Sequence, residues 1–108
     1  MPNFRNSTQS TIDANGESVM LAYRQFTNGG VGVQITGTFA GTLQFEVTLD
    51  GSTYVAVRTL NVTDGTEAVT TTGTGVYRFD VVGVLASRVR ATAWTSGTAT
   101  ITMAGLAG

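Results

Sequence analysis

Two carboxylates, Glu46 and Asp80, are the first residues of this 108-residue chain to weigh for chemistry. A glycosidase needs such a pair at a fixed separation across a cleft, one carboxyl to give a proton and the other to attack or to activate water. Each lies on the polar side of its own alternating run, and nothing in the sequence brings them together. Both therefore read as isolated, solvated carboxylates. Asp64-Gly65-Thr66-Glu67 and Asp50 could offer oxygens to Ca²⁺. A calcium loop wants about six to eight oxygens from regularly spaced acidic residues. That spacing is missing, and plain turns, in which an Asp side chain caps its own backbone, account for both. The glycine pairs at Gly30 and Gly32 and at Gly73 and Gly75 precede strands, not helices, so they are turn glycines and not phosphate loops. Histidine, cysteine and lysine are absent, which removes the common general base, the common zinc ligands and the Schiff-base amine. The expectation is a chain with no enzymatic activity, no cofactor and no metal.

Composition narrows the partners. Charged residues make up 12% of the chain and the formal net charge is −1. No basic field is available for a phosphate backbone, so no nucleic acid is expected. No apolar run approaches the roughly 20 residues that cross a bilayer as a helix, and no membrane association is expected. The opening residues Met1 to Asn6 lack the apolar stretch of a secretion signal. All six basic residues are arginine, whose planar fork suits interfaces better than a lysine does.

The elements that must position these residues are strands. Thr42-Leu43-Gln44-Phe45-Glu46-Val47-Thr48-Leu49 alternates strictly, with Leu43, Phe45, Val47 and Leu49 on one side; that period of two belongs to a half-buried strand. Similar runs cover Val19–Phe26, Gly32–Phe39, Tyr54–Leu60, Val76–Val81, Ser87–Thr95 and Thr98–Met103, with a shorter one around Ala68. Val33, Ile35, Tyr77, Phe79, Val81, Val89, Ala91, Ala93, Ala99, Ile101 and Met103 are the expected inward residues, while Val55, Val57 and Thr59 alternate with Tyr54, Ala56 and Arg58. Turns are expected at Thr27–Gly30, Asp50-Gly51, Gly73–Gly75 and Ser96-Gly97, with a break or bulge at Ala40-Gly41 and a break at Val82-Gly83. No sustained 3.6-residue period appears. The prediction is an all-β fold, a two-sheet antiparallel sandwich of jelly-roll type with about seven or eight strands and no substantial helix. Residues 1–17 are expected as an N-terminal arm or short strand, 18–104 as the sandwich and 105–108 as a flexible tail.

Candidate contact residues emerge from exposure and type. Phe4 and Arg5 could anchor the arm on a neighbouring subunit. Arg88 and Arg90 face outward by alternation, and Trp94 falls on the same side, either as a partner-facing aromatic or as a core-edge residue out of register. Tryptophan and arginine are enriched at interface centres.

Four stretches taken in order carry a resemblance. They are Ile35-Thr36-Gly37-Thr38-Phe39-Ala40-Gly41-Thr42-Leu43-Gln44-Phe45-Glu46, Leu49-Asp50-Gly51-Ser52-Thr53-Tyr54, Gly75-Val76-Tyr77-Arg78-Phe79-Asp80-Val81, and Val89-Arg90-Ala91 through Trp94 to Ser96-Gly97-Thr98. Over residues 33–103 this succession resembles small β-sandwich structural proteins of tailed bacteriophages, which occur as capsid decoration (cement) proteins and as parts of head fibres, collars and tails. The resemblance implies a non-enzymatic virion protein, made in the bacterial host cytoplasm, that binds the major capsid protein or other virion proteins as a homo-oligomer, trimer or dimer. The alternative is a tail- or fibre-associated carbohydrate-binding module using Tyr54 and Trp94.

Overall fold

Threonine and valine disfavour helix because branching at Cβ restricts the side chain, and they pack well on a pleated surface. The computed structural model, which describes residues 4–22, 30–80 and 84–107, accordingly holds only strands, turns and bends. Nine strands run in chain order: β1 Phe4–Ile12, β2 Ser18–Ala22, β3 Gly30–Thr48, β4 Val55–Ala56, β5 Thr59–Asn61, β6 Glu67–Ala68, β7 Thr70–Thr71, β8 Gly75–Asp80 and β9 Ala86–Ala107. All pairings are antiparallel.

The two long strands organise everything else. β3 pairs with β9 from Val31↔Gly105 to Thr48↔Ala86. Along the outer edge of β9 lie β1, against its second half, and β2, against its first. Along the outer edge of β3 lie β8, against its first half, and β7 and β4, against its second. A straight 19-residue strand would span ~63 Å, yet the longest dimension of the molecule is 43 Å. The pair must fold over. Tyr77 pairs with Val33, which a straight β3 would hold ~40 Å from Phe45; the Tyr77 and Phe45 rings are 5.2 Å apart. The sandwich is thus one continuous sheet folded into two layers. The first half of β3 lies in one layer and the second half in the other.

Glycines and bulges make the fold-over. Gly37 and Gly97 have φ of 105° and 89°, a region costly for any residue with a Cβ. At Gly97 an added Cβ would also strike the Thr38 carbonyl and come within 2.6 Å of Phe39 Cα. Thr95 and Thr92 are extra residues on β9, because Ala40↔Ser96 is followed by Gly41↔Trp94, and Thr42↔Ala93 by Leu43↔Ala91. Such bulges bend the strand and reverse the facing of the residues beyond them.

The expected inward residues Val33, Ile35, Leu43, Phe45, Val89, Ala91, Ala99, Ile101 and Met103 are fully or almost fully buried, with Tyr77 and Phe79 beside them. Two expectations fail. Ala93 is exposed because the Thr92 bulge shifts its parity. Leu49 is 73% exposed because pairing stops at Thr48. Val55, for which alternation assigned no facing, is 61% exposed on a two-residue edge strand. The segmentation differs as well. Ser96-Gly97 is a bend inside β9, not a strand end, whereas Ala40-Gly41 lies inside β3 at a register shift, the bulge of its two readings. Tyr54–Leu60 is not one strand: Val55–Ala56 pairs in one layer and Thr59–Asn61 in the other. Residues 4–12 pair with β9, in keeping with the strand alternative for the N-terminal segment, and β9 continues to Ala107. The expectations for Tyr23–Gly29, for Val81 and for Val82-Gly83 lie outside the described residues.

Gly97→Ala is expected to lower the unfolding free energy by at least ~2 kcal/mol. Gly65→Ala, at φ 78° with open space around its Cβ position, should cost only ~1 kcal/mol. Denaturant melts of the two proteins compare close approach with backbone conformation alone; equal losses would refute the close-approach account.

Candidate functional site

The polar face of the second layer carries the densest side-chain chemistry among the described residues. Register puts it there. β3 and β9 align Glu46 with Arg88 and Gln44 with Arg90, and β2 adds Met20 opposite Arg88 and Ser18 opposite Arg90. All point away from Phe45 and Val89, whose side chains occupy the core. Glu46 is only 3% exposed despite lying on this outer face. Arg88 Nε donates to its Oε1 at 2.6 Å, Arg90 Nη2 and Nε donate to Oε2 at 2.9 and 3.1 Å, and Gln44 Nε2 donates to Oε2 at 2.6 Å. The Arg88 guanidinium sits 3.8 Å above the centre of the Tyr54 ring, a cation–π contact. The Tyr54 hydroxyl donates to Met20 Sδ at 3.1 Å, so the ring crosses from β4's side of the sheet to β2.

Burial pushes the Glu46 carboxyl up in pKa, but hydrogen bonds from Arg90, Arg88 and Gln44, together with the Arg88 charge, outweigh it and hold the group below its ordinary 4.5. Arg90 is raised by its bond to Glu46. The cluster therefore stays fully charged at neutral pH, with two cations around one anion. A carboxylate held ionised in this way is a poor proton donor, and its lone pairs are already engaged. What the arrangement offers is a rigid, positively biased platform, suited to an acidic group of a partner.

The expectation that Glu46 is an isolated, solvated carboxylate is overturned by this register. Asp80 is exposed on the outer side of the first layer, so the protein core separates the two carboxylates. Asp50 and Asp64 cap their own loops as expected of plain turns. Asp50 Oδ1 accepts from Thr53 N at 2.8 Å and Ser52 N at 2.9 Å, which lowers its pKa to about 2. Asp64 Oδ1 accepts from Thr66 N and Oγ1.

Arg88 and Arg90 come together as the sequence indicates; Trp94 does not join them. The Thr92 bulge turns Trp94 to the core side, where it stacks on Phe39 at 5.2 Å with ring planes 5° apart, and its Nε1 donates to Gly97 O at 3.1 Å. Of its two sequence readings, the core-edge one is observed. Tyr54 and Trp94, the rings available to a sugar, thus each have one face already covered within the chain. The Phe4 and Arg5 backbones pair with Ala107 and Leu106, and their side chains lie outside the described residues. What the sequence reading missed is Met20, the contact of Tyr54 with Arg88 and the burial of Glu46. Their signal was present only as shared parity on strands whose pairing one sequence does not reveal. A shallow polar pocket of about 70 Å³, bordered by Thr59, Asn61, Thr70, Thr71 and Tyr77, opens elsewhere. The Tyr77 hydroxyl there is held by Thr71 Oγ1 at 2.7 Å and Gly73 O at 3.2 Å.

Solved structures share this architecture. The SPBc2 prophage-derived protein YomS superposes with a TM-score of 0.75 at 18% identity, covering 99% of this chain and 98% of that one. The PBSX exported protein XepA gives 0.77 at 19% identity over 95% of this chain, which spans 38% of XepA. PliG of Aeromonas hydrophila, a periplasmic inhibitor of g-type lysozyme, gives 0.52 at 7% identity. No protein-family model and no curated protein sequence matches the chain. The fold is therefore one that phage-derived proteins also adopt.

Glu46→Gln leaves two guanidinium groups without their buried counter-charge and is expected to cost ~3 kcal/mol near neutral pH. The depressed carboxylate contributes its stability fully above 4.5 and loses it as pH falls through the lower folded value. The gap between wild type and Glu46→Gln should thus be widest at neutral pH and close under acid. Urea melts across pH 2–7 (about the accessible range) would contradict this if the gap stayed constant.

Proposed function

We propose that this chain is a non-enzymatic structural protein of a phage virion, a capsid decoration protein that binds assembled capsid subunits and stabilises the head. The observation that carries the proposal is the end-to-end match of its fold to a prophage-derived protein of almost the same length. The ordered motifs over residues 33–103, which resemble phage sandwich proteins, support it from the sequence side. The Arg88–Arg90 platform supplies the chemistry. The Arg88 and Arg90 side chains are 27% and 34% exposed and are fixed by Glu46, so an acidic side chain of the major capsid protein can dock without ordering a mobile arginine first. Binding only to the assembled shell stabilises that state by mass action. The protein is then made in the host cytoplasm and resides in the virion.

Cosedimentation with capsids from the parent phage tests the reading. Saturable binding to assembled shells, with none to free capsid subunits, is the expected result. Arg90→Ala should weaken it by about tenfold, the loss of one interfacial charged contact. Binding to tails alone, or no binding to any particle, would reject the capsid role.

A further inference from the structure

The edges of the folded sheet are not alike. β4, β6 and β7 have two residues each and β2 has five, while β1 has nine. Its register with β9 runs without a bulge from Phe4↔Ala107 to Ile12↔Ala99. Among the described residues no strand pairs with its other side. Sheet edges are ordinarily blunted by short length, bulges, proline or lysine. The short strands at the other edges follow that rule. β1 carries little of this protection, since the lone proline precedes it and Arg5 is its only charged residue.

We propose that β1 is a self-pairing edge: two copies of the chain join antiparallel, β1 to β1, about a twofold axis at Thr8. The strand suits itself as a partner. An antiparallel register centred on Thr8 sets Thr8 opposite the partner's Thr8 and Ser7 opposite the partner's Gln9, and because residues of equal parity meet, the layers of both copies stay in line. Ser7 and Gln9 are exposed on the outer face, and Gln9 Nε2 already donates to Thr102 Oγ1 at 2.8 Å. The outer-face pairs thus join short hydroxyl and amide groups, with no like charges opposed. A closed twofold contact uses the same edge on both copies and leaves no further β1 edge to extend. The inference is independent of the capsid reading, because it concerns the free protein.

A charge swap across the axis tests it on the full chain. Ser7→Asp with Gln9→Asp puts like charges opposite each other at two symmetric places and should raise the dimer dissociation constant about tenfold. Ser7→Asp with Gln9→Lys puts opposite charges there and should restore wild-type association, although both variants lose the Gln9–Thr102 bond. Sedimentation equilibrium reads the masses and thermal melts confirm folding. Concentration-dependent hydrogen-exchange protection of β1 amides in the unmodified protein gives a second reading. A wild-type monomer at all concentrations, an oligomer indifferent to the swap, or β1 exchange independent of concentration would overturn the proposal.

Discussion

The continuous ladder between β3 and β9 is the interaction on which the rest depends. Each of the two strands enters both layers, so their pairing is at once a sheet contact and the link between sheets. Every shorter strand but β5 and β6 hydrogen-bonds to one of them. The core arises from the same fact. Phe45 in one layer meets Tyr77 and Phe79 in the other only because the ladder doubles back. The bulges at Thr92 and Thr95 and the positive-φ glycines 37 and 97 sit where it does so. Chain that would otherwise be a long flat ribbon becomes a closed pair of layers around apolar side chains.

The outer face of the second layer shows what such a scaffold does for polar chemistry. Glu46, Arg88 and Arg90 stand on adjacent strands at fixed spacing, so holding them together costs little side-chain entropy beyond what the sheet has already imposed. A buried ion cluster tolerates no missing member, because the remaining charge loses its compensation. Gln44 takes up part of the carboxylate's remaining capacity, and Tyr54 roofs the Arg88 guanidinium. No described buried side-chain nitrogen or oxygen is left without a partner. The face is therefore stiff as well as charged.

Much of this was legible in the sequence, and the failures share one cause. Alternation found the strands and the inward residues Leu43, Phe45, Val89, Ile101 and Met103, because a period of two is a local property. It misplaced Trp94 and Ala93 because a bulge changes parity without any mark in residue type; Thr92 and Thr95 look like ordinary strand threonines. It cut β9 at Ser96-Gly97 because a glycine that permits a bend inside a strand reads the same as one that ends it. The solvated reading of Glu46 failed because strand partners, like bulges, are set at a distance. Its partners lie 42 and 44 residues away, and register between distant strands is a tertiary fact. Asp50 and Asp64, whose partners are two or three residues off, were read correctly.

β9 occupies the last part of the described chain, and β1, β2 and β3 all pair with it. During synthesis those earlier segments leave the ribosome before the strand that will hold them exists. β3 can pair beforehand with β4, β7 and β8, but the contacts that repay loop closure for β1 and β2 arrive only with β9. Completion of the fold is deferred until that strand has emerged. A product terminated ahead of β9 lacks the strand that holds β1 and β2 and is left to cellular proteases.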